Sequence, residues 1–466
     1  MKVPATIRIN AVDDQGNLGS SDFGDGAFEW AKRQGLLEGQ AVLKPEERAS
    51  LNDWERRDVG WGVVLPWRKG LRGRELARAD DAQPGIRKLL EARPDAPVLR
   101  YVREKTAAGT PPRHDKLTRY YADGTKQVLT IGNGPFGVED GQLPRYLLIV
   151  GGPDEIPWAV QFAANRRHFA GRLALDDAAL ERYVEHLIAE WKGTAPDTAA
   201  SVVWNTSDDP MSLAMQTAIA EPLSIALGED ADMRVTRVTG AHATGAQLVQ
   251  TLTTSHPGTI VTVSHGRTGP LHDAAAMRAA LGVPVGADGA DLDMLAASAA
   301  QISGSVWLAY ACCSAGCDEG SRFSGLLPAG SSAAEIVAGV ASLGPTIAPL
   351  PQRLLSAEHP VAAFIGKIEP TFDWTLAEPD TGENVVLDLV DAVYPNLIRA
   401  ETIGFALAEY FSGVGRLYGS FSDAKIAVDA LEEGAEDRAV YYALTARDRE
   451  SLVILGDPTV RLPALP

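Results

Sequence analysis

The stretch GSVWLAYACC, residues 304–313, is an apolar run with β-branched and aromatic members that ends at two cysteines. Its length and composition are typical of a strand buried on both faces. A similar run, GTIVTVSHG at 258–266, precedes it and ends at His-Gly. One predicted helix separates the two runs, so we expect parallel strands that are neighbours in one sheet.

Strands and helices alternate in the same way through most of the chain after residue 143. Further apolar runs predict strands at 145–151, 200–206 and 361–366. Between them lie amphipathic segments, such as 176–193, whose apolar residues recur at helical spacing. This alternation predicts an α/β fold with a mostly parallel sheet and helices on both faces.

The composition limits the classes of partner. The 466 residues carry a formal net charge of −18, which repels nucleic acid and anionic membrane surfaces. No apolar run reaches the roughly 18 residues that a membrane span needs. The first residues also lack the apolar stretch of a secretory signal. We therefore expect a cytoplasmic protein that binds neither nucleic acid nor membrane.

The chain has three cysteines, Cys312, Cys313 and Cys317, too few for a disulfide framework. No Cys-x-x-Cys pair or nearby histidine completes a zinc site, so we expect no metal and no cofactor. Adjacent residues of a strand point to opposite faces. We therefore expect Cys312 to pack under a helix, Cys313 to face the site and Cys317 to be a loop thiol.

His265 and Cys313 stand at the ends of the two runs, where sites form in open parallel sheets. A histidine beside a cysteine is the minimal cysteine nucleophile, because the imidazolium stabilises the thiolate and then protonates the leaving amine. Gly266 allows close approach of a substrate. The backbone amides of Gly266 and Cys313 are candidate oxyanion donors.

A strand ending in His-Gly followed by a strand ending in Ala-Cys resembles the caspase-like clan of cysteine peptidases, and within it the gingipain-type family. The matching segments, in order, are YLLIVGGPDEIPW (146–158), AGRL (170–173), SHG, the double cysteine, PVAAFIGKIEPTFDW (360–374) and VILGDPTVRLPALP (453–466). The resemblance implies a caspase-like fold and a cysteine endopeptidase with Cys313 as nucleophile and His265 as its partner. It also implies a protein or peptide substrate, and a zymogen controlled by an activating protease or a regulatory protein, by analogy in bacterial defence.

The resemblance implies further site residues. An acid that orients the histidine is expected after the strand at 145–151, where Glu155 is preferred over Asp154. The family segment that lines the specificity pocket corresponds here to Gln161 and Asn165. Two more pocket residues are expected, Trp374 from the matching family tryptophan and Asp318 from the opposite wall.

The sequence divides into a predicted N-terminal accessory α/β domain, 1–142, and a caspase-like peptidase domain, 143–466. Within the second, the insertion 318–360 is rich in Gly, Ser, Ala and Pro and is predicted to be a lid or a processing site. A helix and loop packed on the surface is the alternative. Two other functions stay open: a Cys-His thioesterase or amidase acting on small substrates, and a catalytically silent scaffold.

Overall fold

The computed structural model describes residues 4–13, 16–24, 26–33, 50–104, 112–194, 196–288 and 295–465. The strands in the described residues are β1 Thr6–Val12, β2 Leu18–Asp22, β3 Trp61–Pro66, β4 Val98–Tyr101, β5 Lys116–Tyr120, β6 Lys126–Thr130, β7 Tyr146–Val150, β8 Phe169–Leu173, β9 Asp197–Asn205, β10 Arg234–Thr239, β11 Pro257–Val263, β12 His265–Arg267, β13 Pro284–Val285, β14 Val306–Tyr310, β15 Gly316–Cys317, β16 Thr346–Ile347, β17 Ala363–Lys367 and β18 Leu452–Gly456.

The α-helices in the same residues are α1 Ala27–Arg33, α2 Gly73–Arg78, α3 Pro84–Ala92, α4 Trp158–Asn165, α5 Asp177–Ile188, α6 Pro210–Met215, α7 Glu221–Glu229, α8 Gly245–Ser255, α9 Ala274–Ala280, α10 Ser332–Ala341, α11 Pro349–Ser356, α12 Leu387–Asp391, α13 Ile403–Ala406, α14 Ala408–Asp429 and α15 Ala435–Glu450. Short 3-10 or π segments lie at Gln216–Ala220, Gly240–His242, Ala297–Gln301, Asp373–Thr375 and Ala392–Leu397.

Twelve strands form one central sheet in the order β10-β9-β11-β14-β17-β18-β8-β7-β3-β4-β5-β6. Neighbours are parallel except for the pairs β17–β18, β4–β5 and β5–β6. The mostly parallel α/β sheet predicted from the sequence is confirmed. The predicted boundary at residue 142 falls between β6 and β7 of this sheet, and β3 pairs directly with β7. Division of the chain into two domains at that point remains a prediction.

Both faces of the sheet are covered, as adjacent residues of β7 illustrate. Leu148 belongs to the larger hydrophobic cluster, which includes residues of α3 and α5. Leu147 and Ile149 point the other way and belong to a second cluster, which includes Val160 of α4. Burial on both faces explains why this strand reads as a continuous apolar run and not as an alternating one.

A second, four-stranded sheet stands beside the carboxyl ends of β11 and β14, in the order β13-β12-β1-β2. The strand predicted at 258–266 is therefore two strands, because the chain leaves the large sheet after Val263 and enters the small one at His265. In the small sheet β1 runs parallel to β12, with Ala11 opposite Gly266, and antiparallel to β2. The N-terminal strands thus lie next to the predicted site.

Candidate active site

His265 and Cys313 lie just past the ends of neighbouring parallel strands. In the register of β11 and β14, Val263 is opposite Tyr310, and the amide of Ser264 donates to the carbonyl of Tyr310 over 3.3 Å. A Cβ on Gly266 would lie 1.9 Å from the carbonyl oxygen of Cys312, so only glycine allows this approach. The structure therefore brings the segments of His265 and Cys313 together at one edge of the sheet.

Cys313 occupies a tight turn after β14, in the left-handed region with φ 54°. This conformation is uncommon for a residue with a Cβ and is found preferentially at functional sites. Ser314 stabilises the turn, because its hydroxyl donates to the carbonyl of Ala309 over 2.8 Å and accepts from the amide of Lys367 over 3.0 Å. The strand thus ends before the cysteines, at Tyr310.

The expectation that Cys312 and Cys313 face opposite sides is wrong, since their Sγ atoms lie 3.3 Å apart. The reason is the turn, which replaces the strand alternation on which that expectation depended. The hydrogen bond with Cys312 and burial raise the pKa of the Cys313 thiol well above its ordinary value. Cys317 is also buried and donates to the carbonyl of Gly344 over 3.3 Å.

The acid beside His265 is Asp209, whose Oδ2 lies 2.7 Å from His265 Nε2. A carboxylate only accepts, so Nε2 carries the proton and donates to it. The other ring nitrogen, Nδ1, is buried and has no hydrogen-bond partner within the described ranges. This arrangement leaves Nδ1 as the nitrogen that can exchange a proton with a thiol.

Asp209 is held in place as the N-cap of α6. Its Oδ1 accepts from the amides of Met211 and Ser212, and its Oδ2 accepts from the Ser212 hydroxyl over 2.8 Å. Burial acts to raise the pKa of Asp209, but the hydrogen bonds from His265 and Ser212 outweigh it and hold the pKa below its ordinary value. Asp209 therefore stays ionised and fixes the orientation of the imidazole.

Glu155 and Asp154, predicted as the orienting acid, do not lie at His265. They follow β7, five strands from β11 in the sheet, which corresponds to about 24 Å at ordinary strand spacing. Glu155 pairs instead with Arg68, Oε1 to Nη2 2.6 Å, on the surface. The carbonyl of Asp154 accepts from Arg103.

The predicted pocket residues separate into two groups. Gln161 is buried in a structural network, where it donates to the carbonyl of Ile454 over 2.9 Å and accepts from Arg172. Asn165, on the same helix, is buried, and its side-chain amide has no hydrogen-bond partner in the described residues. Trp374 packs edge-to-face on Phe23, at 5.3 Å between ring centroids. Asp318 alone lines the cavity beside Cys313.

That cavity has a volume of about 10 Å³, which is the space of one water molecule. Its walls include Cys313, Asp318 and Glu369, together with Ile336 and Val340 of α10. The predicted insertion 318–360 thus contributes α10 to the roof over the cysteines. As the structure stands, the space beside Cys313 is too small for a substrate side chain.

Glu369 is a buried carboxyl in the wall of this cavity. It accepts from the Ser321 hydroxyl over 3.0 Å and from the amide of Arg322 over 2.9 Å, and no salt bridge involves it in the described part of the chain. Burial raises its pKa to about 7. Between the pKa of the unfolded chain and about pH 7, the Glu369 carboxyl is therefore protonated in the folded protein and ionised in the unfolded chain.

The substitution Glu369→Gln is expected to flatten the pH dependence of stability. Because the carboxyl pKa is raised on folding, its contribution is full below the unfolded pKa and is lost as pH rises toward 7. Relative to the variant, wild type should lose about 3 kcal/mol of unfolding free energy between pH 5 and pH 8. Urea unfolding at both pH values measures the difference, with exposed Glu319→Gln as control. If the unfolding free energies of wild type and Glu369→Gln changed equally between pH 5 and pH 8, the raised pKa assigned to Glu369 would be contradicted.

The described residues contain neither a metal-binding cluster nor a helix that could span a membrane. No group of three or more His, Cys, Asp and Glu side chains there is placed to hold a metal ion. Among the same residues, no helix combines the length and apolar character needed to cross a bilayer.

The comparisons with known proteins give one structural similarity. No protein-family model and no curated protein matches the chain. Among solved structures, a complex of the pro- and mature domains of RgpB from Porphyromonas gingivalis is similar, at 10% sequence identity and a TM-score of 0.42. The similarity covers 87% of this chain and 80% of that chain. A similarity at this level does not identify the activity of the chain.

Proposed function

We propose that the chain is a cysteine peptidase in which Cys313 is the nucleophile, His265 transfers protons and Asp209 orients His265. The observation that carries the proposal is the hydrogen bond of 2.7 Å from His265 Nε2 to Asp209. Among the described residues it leaves Nδ1 without a hydrogen-bond partner, at the strand end next to the Cys313 turn. A nucleophile, a base and an orienting acid on adjacent strand ends are the parts that acyl transfer by a thiol requires.

The chemistry follows from these roles. His265 Nδ1 takes the Cys313 proton, and the thiolate adds to the scissile carbonyl carbon. The amides of Gly266 and Cys313 are the proposed donors to the oxyanion that forms. His265 then protonates the leaving amine, which departs and leaves an acyl-enzyme. A water molecule gives a proton to His265 and attacks the acyl carbon, which frees the acid and returns the thiol.

The proposed substrate is a protein or peptide, and the proposed setting is the cytoplasm, with activity controlled by a partner or by proteolysis. Asp318 is proposed to line the substrate pocket. Burial of the Cys313 thiol beside a cavity of water size supports a latent resting form. Cleavage or movement within 318–360, which carries α10, would open that cavity.

Covalent labelling tests the proposal. Peptidyl acyloxymethyl ketones that vary in the residue next to the ketone are incubated with the protein, before and after limited proteolysis, and the mass of the intact protein is measured. We expect one adduct, which is absent in Cys313→Ala and kept in Cys312→Ala. No adduct in any form would favour a silent scaffold. An adduct restricted to small amide-like probes would favour an amidase or thioesterase.

A further inference from the structure

Strand β1 lies along an edge formed by two segments of the proposed site. On one side β1 pairs with β2; on the other it meets Gly266 and Arg267 of β12 and then Phe372, through an antiparallel bridge from Ile9. Gly266 follows the proposed base directly. Residues 371–373 follow β17, the sheet neighbour of the nucleophile strand β14. The edge along which β1 lies is thus the rim of the site.

The contacts of β1 with residues 371–373 are of the kind by which proteins bind an extended peptide. The amide of Asn10 donates to the carbonyl of Thr371 over 3.2 Å, and the Asn10 side-chain oxygen accepts from the amide of Thr371 over 2.8 Å. The amide of Arg8 donates to Asp373, and its guanidinium pairs with the same carboxylate at 3.3 Å. Main-chain bonds joined by side-chain contacts at alternate positions characterise addition of a peptide strand to a sheet edge.

The apolar side chains of β1 pack in the same hydrophobic cluster as the proposed nucleophile. Ile7, Ile9 and Ala11 are fully buried and belong to the same hydrophobic cluster as Cys312 and Cys313. Asn10 is equally buried, yet its Nδ2 has no hydrogen-bond partner in the described part of the chain. An unsatisfied buried donor is costly in a permanent core strand and calls for an explanation.

The insertion 318–360 forms hydrogen bonds with the hairpin β1–β2. Ser332, at the start of α10, donates to the carbonyl of Ser20 over 2.9 Å and accepts from the amide of Ser20 over 3.0 Å. Trp30 of α1, the helix that follows β2, donates from Nε1 to the carbonyl of Arg322 over 3.1 Å. A change within 318–360 would therefore remove contacts of the hairpin and of the roof of the cavity together.

We propose that residues 6–12 occupy the strand-binding edge at which a peptide substrate docks, and that they keep the site closed until the hairpin β1–β2 leaves. This inference rests on the proposed function, because it assigns that edge to the substrate of the same Cys-His site. The ligand it predicts is an extended peptide that pairs with 371–373 and 266–267, with main-chain groups in place of those of Arg8 and Asn10.

The first test removes side-chain contacts of β1 in the full-length chain. The double variant Arg8→Ala/Asn10→Ala removes the side-chain bonds to Asp373 and Thr371, and Thr6→Ala is its control, because Thr6 bonds Asp22 of β2 at the exposed end of the strand. Alkylation of Cys313 by iodoacetamide is timed and located by fragment-ion mass spectrometry. We expect the rate to rise about tenfold in the double variant and to stay unchanged in Thr6→Ala. A synthetic peptide of residues 4–12 should restore the slow rate.

A disulfide provides a second test that does not depend on the stability of the double variant. Ile9 and Phe372 are antiparallel bridge partners, a spacing that a disulfide spans. In Ile9→Cys/Phe372→Cys, Cys313 should react about tenfold more slowly in the oxidised than in the reduced form. Equal rates in the two forms, or in wild type and folded Arg8→Ala/Asn10→Ala, would overturn the inference.

The readouts separate this inference from the proposed function. Iodoacetamide reports access to the thiol whether or not the site is catalytic. Faster alkylation in Arg8→Ala/Asn10→Ala without hydrolysis of any peptide would support the closing strand and count against the peptidase. Peptide hydrolysis by wild type at the rate of the double variant would support the peptidase and refute the closing strand.

Discussion

Asp209→Asn should lower kcat/KM for peptide hydrolysis by the proteolytically opened protein on the order of 10³-fold. Asparagine keeps the shape and the N-cap of α6, since its oxygen can accept from the amides of Met211 and Ser212. Its amide nitrogen, however, would donate to His265 Nε2 and drive the ring proton onto Nδ1. His265 in that tautomer cannot accept the Cys313 proton, and the imidazolium loses its anionic partner.

The control variants change two other acids that the sequence alone does not distinguish from Asp209 as the residue that orients His265. Asp208→Asn changes the exposed neighbour, and Glu155→Gln changes the acid that pairs with Arg68 on the surface. Both should keep hydrolysis within about twofold of wild type, because exposed pairs contribute little. Thermal unfolding checks that Asp209→Asn is folded. Equal activity of Asp209→Asn and Asp208→Asn would remove Asp209 from the proposed mechanism.

A signal for Asp209 is present in the sequence but is weaker than the family resemblance that pointed to Glu155. NTSDDPM, at 205–211, places an aspartate before a proline directly after a strand, a pattern that predicts an N-cap. Only the order of the sheet shows that this strand, β9, is the neighbour of β11 while β7 is five strands away. Strand order is a non-local property, and apolar runs do not encode it directly.

The central strands could be predicted because both of their faces are buried, which gives unmistakable apolar runs such as that of β14. Strand β1 shows the opposite case. TIRINAV alternates apolar and polar residues as a strand should, but two of its three partners, β12 and 371–373, lie far along the chain. The pattern therefore indicates a strand without indicating that it lies beside His265 and Gly266.

The turn at Cys313 also lies beyond what an apolar run reveals. The run continues through Ala311 and Cys312, so the predicted strand extends to the cysteines, whereas hydrogen bonding of the strand ends at Tyr310. Ser314 and its bonds to Ala309 and Lys367 decide where the chain turns. The bond with Lys367 depends on β17, which follows later in the chain.

A buried ion pair supports the rim of the site from behind, and its loss should be the largest stability effect. Lys367, at the end of β17, is fully buried, and its ammonium donates to the carbonyl of Asp448 over 2.7 Å and to the Asp448 carboxylate. The same carboxylate accepts from the hydroxyls of Thr371, over 2.8 Å, and Thr375. Asp448 thus ties α15 to the segment that pairs with β1.

Asp448→Ala should lower the free energy of unfolding by about 3–5 kcal/mol, because it leaves the ammonium of Lys367 buried without a counter-charge. Burial already lowers the pKa of Lys367 even with its partner present. The variant Lys367→Met/Asp448→Ala removes both charges and should be more stable than Asp448→Ala alone. Urea unfolding of the single and double variants measures both effects. If the double variant were destabilised by the sum of the two single changes, Lys367 and Asp448 would not act as a unit.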